Sequence, residues 1–148
     1  MMEAKFEIVY TVSDYYDVPR TGIADFHGSP HYYECLFDDS KGYLDIFRLS
    51  PVDDETFQLA LEDWAIWRRW KRAYREGRAD QSTHPALPAD RQRHEELQSV
   101  LEERLKIKED QVIQARGEFE PRQPSQELVP GMTADLEVKW TLVETNGV

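Results

Sequence analysis

Residues 43–77, YLDIFRLSPVDDETFQLALEDWAIWRRWKRAYREG, change their hydrophobic period partway along, and that change decides the fold. Over 43–49 a short, mostly apolar run follows the turn signature DDSKG, as a strand does. After Ser50-Pro51 the apolar spacing becomes helical. Asp53 is a candidate N-cap with Asp54 and Glu55 in the first turn, and Arg68, Arg69, Lys71, Arg72 and Arg75 crowd the last turns before Gly77. Acid at the start and base at the end both complement the helix dipole, and glycine suits the stop. A strand therefore feeds into a long helix.

Upstream, FEIVYTV (6–12) places Phe6, Ile8, Tyr10 and Val12 on one face by two-residue alternation. SDYYDVPRTG (13–22) carries the turn formers Asp17, Pro19 and Gly22 and predicts a loop. Two extended runs, 22–27 and 31–37, are joined by Gly28-Ser29-Pro30, and 43–49 follows across DDSKG, so 1–50 reads as a β-meander of four strands. Downstream, loop 78–87 leads to a second helix from Pro88 or Asp90 to Lys106, with Leu97, Val100, Leu101 and Leu105 along one side. That completes an α-hairpin over 53–106. Strand alternation returns at 111–119 and 134–143, across a linker, 120–131, that holds three prolines and a glycine.

The order implies an α+β fold in a single domain, 1–148. Its sheet is mostly antiparallel, of about six strands, twisted enough to curl into a small, partly closed barrel, with a two-helix insertion between strands 4 and 5.

A chain of 148 residues can bury a core without disulfides or a structural metal. With 40% hydrophobic and 11% aromatic residues it is too apolar for a disordered chain, although 32% of residues are charged. It has no apolar run of about 18 residues, and MMEAKFEIVY lacks a basic stretch followed by an apolar one. A cytoplasmic protein without a membrane partner is expected. The one cysteine, Cys35, allows no internal disulfide and fits a reducing compartment.

The formal charge of −11 is dispersed: −5 over 1–50, −1 over 51–77, −2 over 78–110 and −3 over 111–148. Such a surface repels nucleic acid and favours encounter with basic partners.

Three constellations carry candidate chemistry. DFHGSPHYYEC (25–35) gathers Asp25, His27 and His31, and a three-residue Gly28-Ser29-Pro30 turn would set His27 against His31, Asp25 against Tyr33 and Ile23 against Cys35 on one face. Two imidazoles and a carboxylate suit zinc or another divalent metal, with Glu34 as a neighbouring base; the plain alternative is a polar hairpin tip. Asp63 falls inside the apolar arc of the first helix, between Trp67 and Trp70. A carboxylate there must be paired or neutralised, which makes it a catalytic candidate or a structural one bound to an arginine or an indole. Finally Arg68, Lys71, Arg72 and Arg75 converge on the face of Phe57 and Trp64 as a basic stripe, a candidate binding surface with Trp67 and Trp70 or a complement to the helix C-terminus, while the tryptophans read as core or as a platform for a base or sugar. No serine-histidine-aspartate signature, phosphate loop or HExxH run accompanies them.

The runs GIADFHGSPHYYEC, ETFQLALEDWAIWRRWKRAYREG and THPALPADRQRHEEL resemble those of a group of small bacterial proteins without assigned activity. The resemblance implies a bacterial cytosolic protein and carries no catalytic residues with it.

The leading expectation is a small acidic binding or regulatory protein that engages a basic protein partner, of an accessory or toxin-neutralising kind, needing no cofactor and compatible with a homodimer. It reads more as a binding protein than as an enzyme. The alternative is a small metal-dependent hydrolase built on Asp25, His27 and His31.

Overall fold

The computed structural model describes residues 5–16, 18–122 and 136–143. Six strands follow one another in chain order around a closed antiparallel barrel: β1 (Phe6–Tyr16), β2 (Val18–Phe26), β3 (Ser29–Asp38), β4 (Gly42–Pro51), β5 (Ile113–Pro121) and β6 (Leu136–Leu142). The ring closes where β6 returns to β1, with Phe6 opposite Lys139 and Val9 opposite Leu136. The ring of strands is closed, where the sequence suggested a partly closed barrel. Helices α1 (Asp54–Arg75) and α2 (Arg91–Arg104) fall between β4 and β5 in the chain. The chain forms two compact units, a barrel unit of Met1–Val52 with Ile107–Val148 and a helical unit of Asp53–Lys106. Most of the 120–131 linker, together with Asp17 and the start of the 134–143 run, lies outside the described residues.

Four rings fill the barrel. Tyr33, Phe47, Phe119 and Trp140 touch in every pairwise combination, with centroids 5.5 to 6.0 Å apart and planes tilted or edge-on. Such geometries are worth about 0.5–1.5 kcal/mol per pair beyond the area buried. Six strands enclose little volume, so rings this large require small neighbours. Ala24 and Ala115 are two, and Gly117 is a third: a Cβ there would stand 2.7 Å from Trp140 Cζ3 and 3.2 Å from the Phe47 ring.

Tyr33 is fully buried, and a phenol removed from water must find an acceptor. Its hydroxyl donates to the Thr11 carbonyl at 3.1 Å. Two local features make that bond available. Val9 pairs with Ala24 but Thr11 pairs with Ile23, so Tyr10 is an extra residue, a β-bulge in β1. Gly22 then lets the two strands close: a Cβ at this position would lie 2.1 Å from the Thr11 carbonyl oxygen and 2.6 Å from the Tyr33 hydroxyl.

The bulges explain where the sequence reading of β1 and β2 fails. Val9 packs against the core while Phe6 and Ile8 are exposed, the reverse of the expected face, because Glu7 and Val9 pair with the buried Val138 and Leu136. The polar residues 13–16 and 18–21 form no loop. They extend a β1–β2 hairpin in which further irregularities absorb Ser13 and Arg20, and Pro19 is buried opposite Tyr15.

In the helical unit the sequence expectation holds closely. Asp53 caps α1, accepting from the Thr56 backbone N–H at 2.8 Å and from the Thr56 hydroxyl at 3.0 Å, and Gly77 follows the last turn with φ of 78°. The second helix is shorter than expected, its first residues 88–90 forming a separate 3-10 turn.

Gly22→Ala is expected to cost about 1–3 kcal/mol, the usual penalty for overpacking. The urea midpoint should fall while the far-ultraviolet dichroism of the folded state stays that of a barrel; an unchanged midpoint would mean that β1 and β2 do not approach this closely.

Candidate functional site

The hairpin that joins β2 to β3 turns on two residues. Phe26 pairs with Ser29, and His27 (φ 53°) and Gly28 (φ 79°) occupy the bend, both in the left-handed region typical of tight hairpins. The expected Gly28-Ser29-Pro30 turn is thus displaced. Asp25 pairs with Pro30, Ala24 with His31, Ile23 with Tyr32 and Gly22 with Tyr33, so the proposed His27/His31, Asp25/Tyr33 and Ile23/Cys35 pairs do not form. The physical reason is Glu7, whose two carboxylate oxygens accept the backbone N–H groups of His27 at 3.1 Å and Gly28 at 2.8 Å and so fix the bend there.

The three metal candidates part company as a result. His27 is exposed and stacks on Phe26 at 4.1 Å; His31 is buried, its Nδ1 2.8 Å from the Ser29 carbonyl oxygen; Asp25 lies on the opposite face of its strand from Ala24, the partner of His31. Among the described residues no group of three or more histidine, cysteine, aspartate and glutamate side chains stands close enough to hold a metal ion. Glu34 sits across from Arg48 at 3.4 Å, and Arg48 also bonds both oxygens of Glu109, so Glu34 belongs to a surface ion-pair row. Cys35 faces the barrel core and donates to the Leu44 carbonyl at 3.0 Å; burial pushes its thiol up in spite of the Arg20 guanidinium 3.3 Å away.

Asp25 is nonetheless unusual. Its Oδ2 accepts the Tyr10 hydroxyl at 3.0 Å and its carbonyl accepts the Trp140 indole N–H at 3.0 Å, but its Oδ1 is buried with no hydrogen bond. Burial pushes this carboxyl above the usual carboxylate range; the Tyr10 bond opposes the shift, Glu7 adds to it and His31 opposes it. Tyr10 is itself pushed up, first by burial and then by its bond to Asp25.

The helical unit assembles the second cluster. α1 and α2 are held by Ile66, Leu97 and Leu101 and by a row of polar pairs along their length: Glu55 with Arg104, Glu62 with Arg93 through two bonds of 2.6 and 2.8 Å, Asp63 with His94, and Arg69 with Asp90 through two bonds of 3.0 Å. Asp63 is the most enclosed of the carboxylates. It receives His94 Nδ1 at 2.6 Å and Gln98 Nε2 at 2.9 Å, and the His94 and Asp63 side chains are only 13% and 16% exposed. Asp63 is therefore paired as its position demanded, with a histidine and an amide in place of the expected arginine or indole. The arrangement fixes the imidazole in one orientation and the two helices in one register.

His94 was legible and missed. It stands three and seven residues before Leu97 and Leu101, which makes it the polar member of the one stripe that α2 buries.

Of the aromatic and basic candidates, Trp70 is buried, donates its indole N–H to the Thr83 hydroxyl at 3.0 Å and packs between Tyr74 and His84. Trp67 is half-buried and stacks on Trp64 at 4.9 Å. Arg68, Arg72 and Arg75 are exposed, and Lys71 lies half-buried with its ammonium 5.5 Å from the Tyr74 ring centre. Trp70 thus belongs to the core of the helical unit, the core reading of the tryptophans.

No family model, curated protein or solved structure matches the chain. No helix among the described residues is long and apolar enough to cross a membrane.

Asp25 supplies a pH prediction. Its folded-state pKa is raised, so the proton binds more tightly to the folded protein, and the stability this confers is lost as pH rises from the ordinary aspartate value of about 3.9 through the raised one. Asp25→Asn should therefore raise the Tm at neutral pH, with the gain vanishing in acid below that window. An equal gain at both pH values would show that charge burial is not its cause.

Proposed function

We propose that this protein is a small, acidic, non-enzymatic binding or regulatory protein whose barrel surface engages a basic protein partner. The observation that carries the reading is how the charge is divided. The barrel unit holds 17 acidic against 8 basic residues and the helical unit 12 against 10, so the barrel unit bears −9 of the net −11.

The barrel's own cations are already counted in that net charge, and most are engaged locally. Arg48 bonds Glu34 and Glu109, Arg116 bonds Asp45, Lys139 bonds Glu118, Lys108 reaches the Pro51 carbonyl and Arg20 lies against Cys35 and Tyr43. Asp14, Asp39, Asp110 and Glu120 are exposed beyond these pairs. A surplus of carboxylates on a rigid, closed scaffold raises the encounter rate and selectivity for a cationic surface. The aromatic filling of the interior favours a surface function over a reaction inside the barrel.

Titration with an oligolysine peptide by calorimetry tests the reading. Binding should weaken steeply with added salt and weaken further in Asp14→Asn/Asp39→Asn/Glu120→Gln, while neutralising the α2 carboxylates Glu95, Glu102 and Glu103 should leave it unchanged. No binding at low salt, or equal loss from both sets of substitutions, would contradict a barrel-borne site.

A further inference from the structure

On β6 the buried Leu136, Val138 and Trp140 alternate with Glu137 and Lys139, so these two side chains leave the outer wall of the barrel. The strands on either side present theirs in the same two rows. Phe6, Lys139 and Glu118 stand abreast across β1, β6 and β5, and Ile8, Glu137 and Glu120 stand abreast in the next row. Neighbouring strands are about 4.8 Å apart and alternate residues about 6.8 Å apart along a strand, so the six side chains share a patch of roughly 10 by 7 Å.

Two features set this patch apart from an ordinary outer sheet wall. Phe6 and Ile8 are 37% and 39% exposed, and because they lie two residues apart on one face they form a single apolar strip. Glu137 and Glu120 are direct cross-strand partners of like charge, an arrangement that weakens a sheet. Lys139 does not relieve them. It bonds Glu118 at 3.3 Å in the other row and holds its ammonium 5.5 Å from the centre of the Phe6 ring. The second row therefore holds one apolar residue, two carboxylates and no cation.

We propose that this outer face of β5, β6 and β1 is where the basic partner docks, and that the partner presents an amphipathic helix. Its apolar stripe lies over Phe6 and Ile8, and lysines or arginines on one flank reach Glu137 and Glu120. The proposal rests on the reading of the barrel unit as an acidic binding scaffold and gives that scaffold its site. Charge decides the occupant. A second copy docked through the same face would bring the same carboxylates to the contact, and an anionic membrane or nucleic acid would meet the −9 of the barrel unit. Hydrogen bonding decides its shape. Over 136–139 β6 is paired on both sides, so its backbone is committed and an added strand has nothing there to bond; a helix that binds through side chains has no such need. A cation seated between Glu137 and Glu120 also ends their mutual repulsion, so the conflict in the free protein adds to the affinity of the complex.

Calorimetry with a leucine and lysine amphipathic helix about five turns long tests this, against a peptide of the same composition scrambled so that no apolar face forms. At physiological ionic strength the amphipathic peptide should bind about tenfold more tightly than the scrambled one. Phe6→Ser/Ile8→Ser should bring it down to the scrambled peptide's affinity. Glu120→Gln/Glu137→Gln should weaken it about tenfold, and Asp14→Asn/Asp39→Asn, away from this face, by no more than about twofold, all with unchanged far-ultraviolet dichroism. Failure of oligolysine and of both peptides to bind at low salt would end the acidic-scaffold reading, and this proposal with it. Three outcomes would overturn the docking face alone: oligolysine binds but the amphipathic peptide gains nothing over the scrambled one; the gain survives Phe6→Ser/Ile8→Ser; or the free protein forms dimers that those two substitutions disperse.

Discussion

The buried hydroxyl of Tyr33 imposes the constraint around which the barrel is arranged. A phenol in an apolar interior needs a hydrogen-bond acceptor, and the one it reaches is a backbone carbonyl on a strand that does not neighbour its own. To present that carbonyl, β1 bulges at Tyr10; to let it approach, β2 has a glycine at position 22. The same ring touches Phe47, Phe119 and Trp140, and Trp140 in turn anchors its indole N–H on the Asp25 carbonyl of β2. Strands β1, β2, β3, β4, β5 and β6 thus all meet in one polar bond and one cluster of rings.

The two units divide the work of stability differently. The barrel relies on ring packing against small residues and confines most of its charge to the outside. The α-hairpin has few large apolar contacts on its α2 side, Leu97 and Leu101, and supplements them with arginine–carboxylate pairs and the Asp63–His94–Gln98 cluster. Exposed pairs of this kind each add little, typically 0.2–1 kcal/mol, so their larger effect is on register and on which charges are left facing outward. The proposed contact with a basic partner follows from the barrel unit's carboxylate surplus rather than from any pocket chemistry.

The helices could be read in the sequence because their signals are local. Asp53 and Gly77 act through bonds to residues three positions away, and the structure uses both as their types suggest. The strand count and the place of the helices followed from the same periodicity. The register of the hairpin at 25–35 did not, because it is set by Glu7, some twenty residues distant, and the face of β1 did not, because bulges shift parity without leaving a compositional trace. Those two facts separate Asp25, His27 and His31. The pairing of Asp63 was foreseen as a necessity, whereas its partner lies 31 residues on and was readable only by placing His94 on the stripe of Leu97 and Leu101.

The central claim is a closed, ring-filled barrel with the Tyr33 hydroxyl sealed inside and bonded to Thr11. Burial pushes that hydroxyl well above the ordinary tyrosine value of about 10. Following the ring Cζ resonances of labelled tyrosine by NMR through an alkaline titration, with Tyr33→Phe for assignment, tests it directly. The Tyr33 signal should stay flat while an ordinary tyrosine ionises, and move only when the protein unfolds. A Tyr33 signal that titrates reversibly near 10 in the folded protein would contradict it, since the interior would then be open to water.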